Sequence, residues 1–286
     1  MMNMLVGADR MSCGRCAVAT LTPQLADPVS QTLLIPLWAR ALEQREPDPL
    51  VRDPLAAEIV AQIDYDWRRI RLSRGDLVQC VARLREFDRF VRDFLVLHPS
   101  ATVVHLGCGL DARFQRVDDG LVRWFDLDLP DVIALRRKLL PESERNRFVP
   151  GSALEPDWIE QLGLSGAGPV LIVAEAVLVY LKEVGVRDLL VALRGRCPGA
   201  ELITDMCTPL AMRLDNLHLL VTRSSARIRW AVRDPRELER WAGGIQLMES
   251  FSYFEHLEPR MGLPAWLARV PGLSRASSIQ RYRLGG

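Results

Sequence analysis

Between Ala101 and Asp128 the chain reads ATVVHLGCGLDARFQRVDDGLVRWFDLD. Two β-rich runs, Thr102 to Leu106 and Val122 to Leu127, flank a glycine turn at Gly107-Cys108-Gly109, and acids close the second run at Asp126 and Asp128. Glycines after a first strand let a ligand approach the backbone, and an acid about 20 residues further on can accept both ribose hydroxyls. The stretch therefore points to an α/β fold with a nucleotide-like ligand at the carboxyl ends of its strands. Gly107-x-Gly109-x-x-Ala112 also satisfies a dinucleotide fingerprint, which would suggest NAD. Against NAD, Asp111 places an anionic side chain in the turn where a pyrophosphate would sit, and like charges repel.

The rest of the chain supplies matching grammar. From Gln31 to about Leu97 the apolar residues recur at helical spacing, with Asp53-Pro54 reading as an N-cap and first-turn proline. The longest stripe uses Cys80, Leu84, Phe87, Val91, Phe94 and Leu95. After Pro99, strand-like runs alternate with helical ones, the grammar of a parallel sheet. Arg147 to Gly151, Pro169 to Val173 and Glu201 to Cys207 read as strands, whereas Leu110 to Arg116, Asp131 to Leu140, Asp157 to Leu162 and Tyr180 to Leu193 read as helices. Thr208 to Trp241 is helical and arginine-rich, too long for a plain connection, and reads as a lid near the crevice. Two final strands, Ile245 to Phe254 and Ser278 to Leu284, complete the pattern.

Composition narrows the function classes. A chain of 286 residues, 49% of them hydrophobic, can bury a full core. Its 37 basic and 36 acidic residues leave a net charge of +1, so nothing global favours nucleic acid or an anionic membrane. Six cysteines in so long a chain suit reduced usage and a cytoplasmic setting. Residues 1–26 lack a period and read as a mobile leader, and no run reaches the roughly 18 apolar residues of a membrane span. Cys13 and Cys16 have CxxC spacing, but no second ligand pair accompanies them, so no metal site is expected.

Two charged residues have competing readings on spacing alone. Arg83 lies one residue before Leu84 of the long stripe and could simply snorkel. Glu175 follows the most continuous apolar strand, so it either points into the ligand crevice or caps the next helix.

Several runs carry a resemblance. LGCGLDARF, WFDLDLPDVIALRRKLL, GSALEPDW and VAEAVLVYL resemble the leucine carboxyl methyltransferase and tetracenomycin-polyketide O-methyltransferase family. QTLLIPLWARALE, RDPLAAEIV with IDYDW, and VARLREFD are similar to its polyketide branch, so the likeness covers about residues 28–210. It implies a Rossmann-like class I methyltransferase fold: a seven-stranded, mostly parallel sheet with a helical cap over 27–98, a core over 99–286 and a lid insertion over 208–241. It implies S-adenosylmethionine as cofactor, with Arg83 on the methionine carboxylate, Gly107 approaching the cofactor, Asp128 on the ribose and Glu175 near the methionine end. Ala153 and Leu154 fall where the protein-methylating branch has Asp-Leu beside the adenine, so the aspartate is missing here. Asp126 receives no role, and His105, inside its strand, is a poor base.

The function implied is methyl-ester formation on a small natural-product carboxylate, which is already ionised at neutral pH and needs no general base. A phenol acceptor would need one, and His218 in the lid is the candidate. Tyr180, Arg213 and Arg223 are candidate acceptor contacts, Arg213 and Arg223 belonging to a cluster with Arg227 and Arg229 that could receive an acid. A protein carboxyl-terminal methyltransferase, an NAD-dependent oxidoreductase and a non-catalytic binding protein are the alternatives.

Overall fold

The computed structural model describes residues 20–27, 29–221, 226–253, 258–262 and 276–285, apart from the side chains at 218, 220 and 221. Cys13 and Cys16 lie outside the described residues. Seven strands form one sheet: β1 (Thr102–Leu106), β2 (Arg123–Asp128), β3 (Asn146–Pro150), β4 (Val170–Ala174), β5 (Ala200–Cys207), β6 (Ile245–Ser252) and β7 (Ser277–Leu284). Their order is β3-β2-β1-β4-β5-β7-β6, parallel throughout except for β7, which runs antiparallel to both neighbours. This is the α/β arrangement that the sequence predicts. The strand order reverses between β1 and β4, and in open sheets of this kind ligands occupy the crevice outside that switch point.

Burial explains the strand sequences. β1 and β4 are buried at every position, covered by helices on both faces. One face carries Val104, Leu106, Ile172, Leu202 and Tyr282 against α7 (Glu183–Arg196), and the other carries Val103, Leu171, Val173, Ile203 and Ile279 against α3 (Arg74–Leu97). A strand buried on both faces reads as a continuous apolar run, not as an alternation.

Three helices precede the sheet: α1 (Leu34–Glu43), α2 (Pro54–Gln62) and α3. The Asp53 side chain caps α2 by accepting from Ala56 N–H at 3.2 Å. A capping box between Ser73 and Asp76 starts α3, satisfying two of the amide donors that every helix start leaves open. The expected stripe of α3 is buried from Leu84 to Leu95, whereas Cys80 is only half-buried. The stretch read as a mobile leader is tied down at its end. Leu21 N–H donates to Gln62 O at 2.8 Å, Asp64 N–H returns to Leu21 O at 2.9 Å, and Ala26 N–H reaches Asp131.

Some boundaries differ from expectation for local reasons. After the glycine turn, α4 covers only Arg113–Val117, and between β3 and β4 the helix α6 covers only Trp158–Gln161. Tyr180 closes a 3-10 turn, Leu178–Tyr180, and α7 begins three residues later. The stretch 208–241 is helical over α8 (Pro209–Val221) and a 3-10 turn, Pro235–Arg240, but not between 226 and 232. There Ala226, Trp230 and Val232 are buried, Arg229 and Trp230 both donate N–H to Val179 O, and the Asn216 amide clamps Ile228 on both sides. Buried apolar residues at 226, 230 and 232 pull this segment into the core as an irregular connection.

A buried ion pair fixes α5 (Pro130–Leu139) to the sheet. The sequence places Arg136 among basic residues suited to a helix end, but it is fully buried, donating to Asp126 at 2.6 Å and to Gly109 O at 3.0 Å. Asp126 also accepts from Trp124 Nε1 at 2.8 Å and faces His105 Nδ1 at 3.3 Å. Removing one member leaves its partner charged and buried, which costs about 3–5 kcal/mol. Asp126→Ala therefore lowers the unfolding free energy in urea by about that amount, and a loss below about 1 kcal/mol, the range of a surface pair, would contradict this role.

Candidate active site

Strand order brings three sequence positions to one crevice. Gly107 follows β1, Asp128 ends β2 and Glu175 follows β4, and these strands are neighbours with their carboxyl ends aligned. Gly107 has φ +60°, and a Cβ there would come within 2.4 Å of Val177 Cγ2, so only glycine fits. Its N–H donates to Leu127 O at 2.8 Å. Asp128 accepts from Gly109 N–H on one carboxylate oxygen and from Leu129 N–H on the other, each at 2.7 Å. Burial raises the Asp128 carboxyl above its ordinary value despite these two bonds.

Arg83 and Glu175 meet directly. Arg83 Nε donates to Glu175 Oε1 at 2.8 Å from the first half of α3, and so the arginine is not a snorkelling surface residue. The other Glu175 oxygen accepts from Arg113. Burial would raise the Glu175 carboxyl, but Arg83 and Arg113 together hold it below its ordinary value. Glu175 does not cap α7, whose N-cap is Lys182. Next to it, Ala176 adopts φ +53°, a left-handed conformation unusual for a residue with a side chain. Its N–H donates to Asp205 Oδ1 at 2.7 Å, which holds the strained turn.

Behind this pair lies an ion cluster that spacing arguments missed. Fully buried Arg113 reaches Asp88 at 2.8 Å and Asp111 at 3.2 Å besides Glu175. Arg116 grips Asp88 with two nitrogens, at 2.8 and 3.1 Å, and also reaches Asp111 at 2.7 Å and Asp53 at 3.0 Å. Arg40 of α1 joins Asp53 at 2.8 Å and donates to Leu110 O at 2.8 Å. Against its burial, Arg116, Arg113 and Arg40 hold the Asp111 carboxyl well below its ordinary value. Asp111 is thus neutralised by arginines, and its repulsion of a pyrophosphate, argued from sequence, loses its force. One signal was available: Asp88 sits inside the buried stripe of α3, where an acid requires a partner.

His105 fills the space between the two clusters. Its Nε2 lies 3.4 Å from Arg113 Nη1, and its Nδ1 lies 3.3 Å from Asp126 Oδ1. Its place is structural.

Of the remaining predicted residues, Tyr180 is the one on which the charge of this pair acts. Ala153 and Leu154 follow β3, whose Pro150 is in register with Asp128. Ala153 is half-buried, whereas Leu154 is exposed, its side chain lying against the open face of Gly185. Tyr180 lies near Arg83 and Asp205, and burial pushes its phenol up to about 12. Arg213 is exposed on α8. Arg223 and the His218 side chain lie outside the described residues. Among the described residues no cluster could hold a metal ion, and no helix is long and apolar enough to cross a membrane.

Residues 34–194 match the family model described as leucine carboxyl methyltransferase. The chain belongs to that family. It is 34% identical over 261 residues to the tetracenomycin polyketide synthesis O-methyltransferase of Streptomyces glaucescens, covering 89% of this chain and 96% of that one. It is 30% identical to an S-adenosyl-L-methionine-dependent methyltransferase of Gibberella zeae, over 83% and 86% of the two chains. Among solved structures, a putative methyltransferase from Thermobifida fusca superposes with a TM-score of 0.55 at 20% identity, over 87% of this chain and 94% of that one. A DUF574 family protein from Streptomyces avermitilis gives 0.57 at 15% identity, over 90% and 99%. Family membership displaces the oxidoreductase and non-catalytic readings.

The ion cluster makes this family member acid-sensitive in a defined direction. Asp88, Asp111 and Glu175 have lowered folded values, from 3.8, 3.8 and 4.5. Their stabilisation is complete above those ordinary values and is lost as pH falls through the depressed ones. Arg113→Met weakens the depression, so acid unfolding followed by circular dichroism begins at higher pH than in the native chain, with Arg113→Lys in between. An unchanged acid midpoint in both variants would rule out Arg113 as the holder of these carboxylates.

Proposed function

We propose that this S-adenosylmethionine-dependent O-methyltransferase forms a methyl ester on a carboxylate of a small, polyketide-like natural product. The observation that carries the reading is the Arg83–Glu175 pair at the end of β4, beside a glycine turn tied to Asp128. Its charges suit the cofactor. The Arg83 guanidinium takes the methionine carboxylate, and the Glu175 carboxylate, kept ionised by two arginines, takes the ammonium group. Asp128 spends two lone-pair directions on backbone amides, and a carboxylate has about four, so both ribose hydroxyls can still be accepted. Gly107 keeps the turn open to the cofactor. Ala153 and Leu154, just past β3, take the adenine side, through backbone groups in the absence of an aspartate.

When bound, S-adenosylmethionine supplies an electrophilic methyl group. The chain has to align it with the acceptor and exclude water, and alignment alone can contribute about 7–11 kcal/mol. A carboxylate acceptor, with a pKa near about 4, arrives without its proton, so no side chain has to remove one. Tyr180, Arg213 and Arg223 are the proposed acceptor contacts, with α8 and the following segment as the cover. The small-molecule acceptor class rests on the polyketide relative, which spans nearly the whole chain, and on Ala153 in place of the protein-methylating branch's aspartate.

Two measurements test this. Asp128→Asn removes a charged acceptor, worth about 1.5–3 kcal/mol per hydrogen bond, so calorimetric affinity for S-adenosylhomocysteine falls roughly 10- to 100-fold. Unchanged affinity would remove Asp128 from the site. For the chemistry, a panel of carboxylic acids and phenols is offered with labelled cofactor. Methyl esters should form at a rate nearly flat between about pH 6 and 8, above the acceptor's titration. Methylation confined to phenols, with a rate climbing through that range, would replace the ester assignment by an ether one.

A further inference from the structure

Tyr253 directly follows β6, its N–H donating to Ser277 O at 3.2 Å and its ring packing beside Phe251 on the α3 face of the sheet. Its phenolic oxygen is buried and, among the described residues, has no hydrogen-bond partner. Leaving such a group unsatisfied costs about 1–3 kcal/mol, and an isosteric phenylalanine would avoid that cost.

The strand registers place Tyr253 at the carboxyl edge of the sheet: Asp205 pairs with Ile279, Ile279 pairs with Phe251, and Tyr253 follows Phe251 on the same α3-facing side. The ionised groups that act on its phenol are Asp205, Arg83 and Glu175. These three are already linked at the ends of β4 and β5, by contacts of 2.8 and 3.9 Å from Arg83. Burial, and Asp205 after it, push the phenol well above its ordinary value, so it stays protonated and can donate. Among the described residues, Arg83 commits only Nε to a close partner. Its Nη1 is 3.9 Å from Asp205 and its Nη2 is 3.9 Å from Cys80 Sγ, both long contacts. Donors from α3 and from the end of β6 thus lie at the same carboxyl edge of the sheet, each without a close acceptor among the described residues. Burial also raises the Asp205 carboxyl above its ordinary value.

We infer that Tyr253 is a cofactor-binding residue whose hydroxyl donates, beside Arg83, to the carboxylate of the methionine portion of S-adenosylmethionine. The inference rests on the assignment of Arg83 to that carboxylate. It accounts for the orphaned hydroxyl as a group kept unsatisfied until the ligand arrives, a stability cost tolerated at a functional site.

Tyr253→Phe removes only the oxygen, and two ligands separate its effects. S-adenosylhomocysteine carries the amino-acid carboxylate, whereas 5′-methylthioadenosine has the ribose and adenine without it. By calorimetry, Tyr253→Phe should weaken the first about tenfold or more, the loss of one hydrogen bond to a charged group, and leave the second unchanged. The ligand-free variant should melt at the native temperature or above it, because an unsatisfied buried group has gone. Unchanged affinity for S-adenosylhomocysteine, or equal weakening of both ligands, would overturn the inference. Arg83→Gln is run alongside. If it weakens S-adenosylhomocysteine selectively while Tyr253→Phe does not, only the tyrosine assignment falls; if Arg83→Gln changes neither ligand's affinity, the Arg83 assignment falls with it.

Discussion

The cluster of Arg113 and Arg116 with Asp88 and Asp111 is the interaction on which the rest of the structure depends. It joins three parts of the chain that are far apart in sequence: the helices before the sheet, the short helix after the glycine turn, and the end of β4. Buried ion pairs contribute little net stability, because desolvation offsets the attraction, but removing one partner is expensive. Such a cluster therefore acts mainly on specificity. A packing of α3 that displaced Asp88 would strand two arginines, so the helix that carries Arg83 has one low-energy position against the sheet.

That position decides the chemistry. Arg83 lies on the same helix as Asp88, and Arg113 touches Asp88 and Glu175 at once, so the scaffold and the Arg83–Glu175 pair share side chains. The shared arginine keeps Glu175 anionic despite burial. A second device, Asp205 holding the strained backbone at Ala176, fixes the direction of the residue just before it. The Asp126–Arg136 pair does the corresponding work on the other side of the glycine turn through the Gly109 carbonyl. The turn is thus braced from both flanks by charges that never meet solvent.

Much of this was legible in the chain. Continuous apolar runs gave β1 and β4, the Asp53-Pro54 pair gave the start of α2, and the glycine turn with its distal acid gave the loop after β1 and the end of β2. Element ends were less legible, since capping and burial decide them: residues 226–232 look helical by composition yet form no helix, because Trp230 and Val232 are drawn into the core. Charged residues were the least legible. Arg136 reads as a helix-end cation and Asp111 as a free anion in the turn, and each is instead internal and paired.

By itself the sequence determined the alternation of strands and helices, the glycine turn after β1 with the acid at the end of β2, and the family. These depend on periodicity, on backbone freedom and on motifs, all of which are local along the chain. Only the tertiary structure decided which arginine meets which acid, that Asp126 serves the fold whereas Asp128 faces the turn, and that a tyrosine after β6 reaches the neighbourhood of Arg83 and Glu175. Electrostatic partnership depends on distance and burial in three dimensions, and residues 92 positions apart, such as Arg83 and Glu175, carry no sequence mark of lying 2.8 Å from each other.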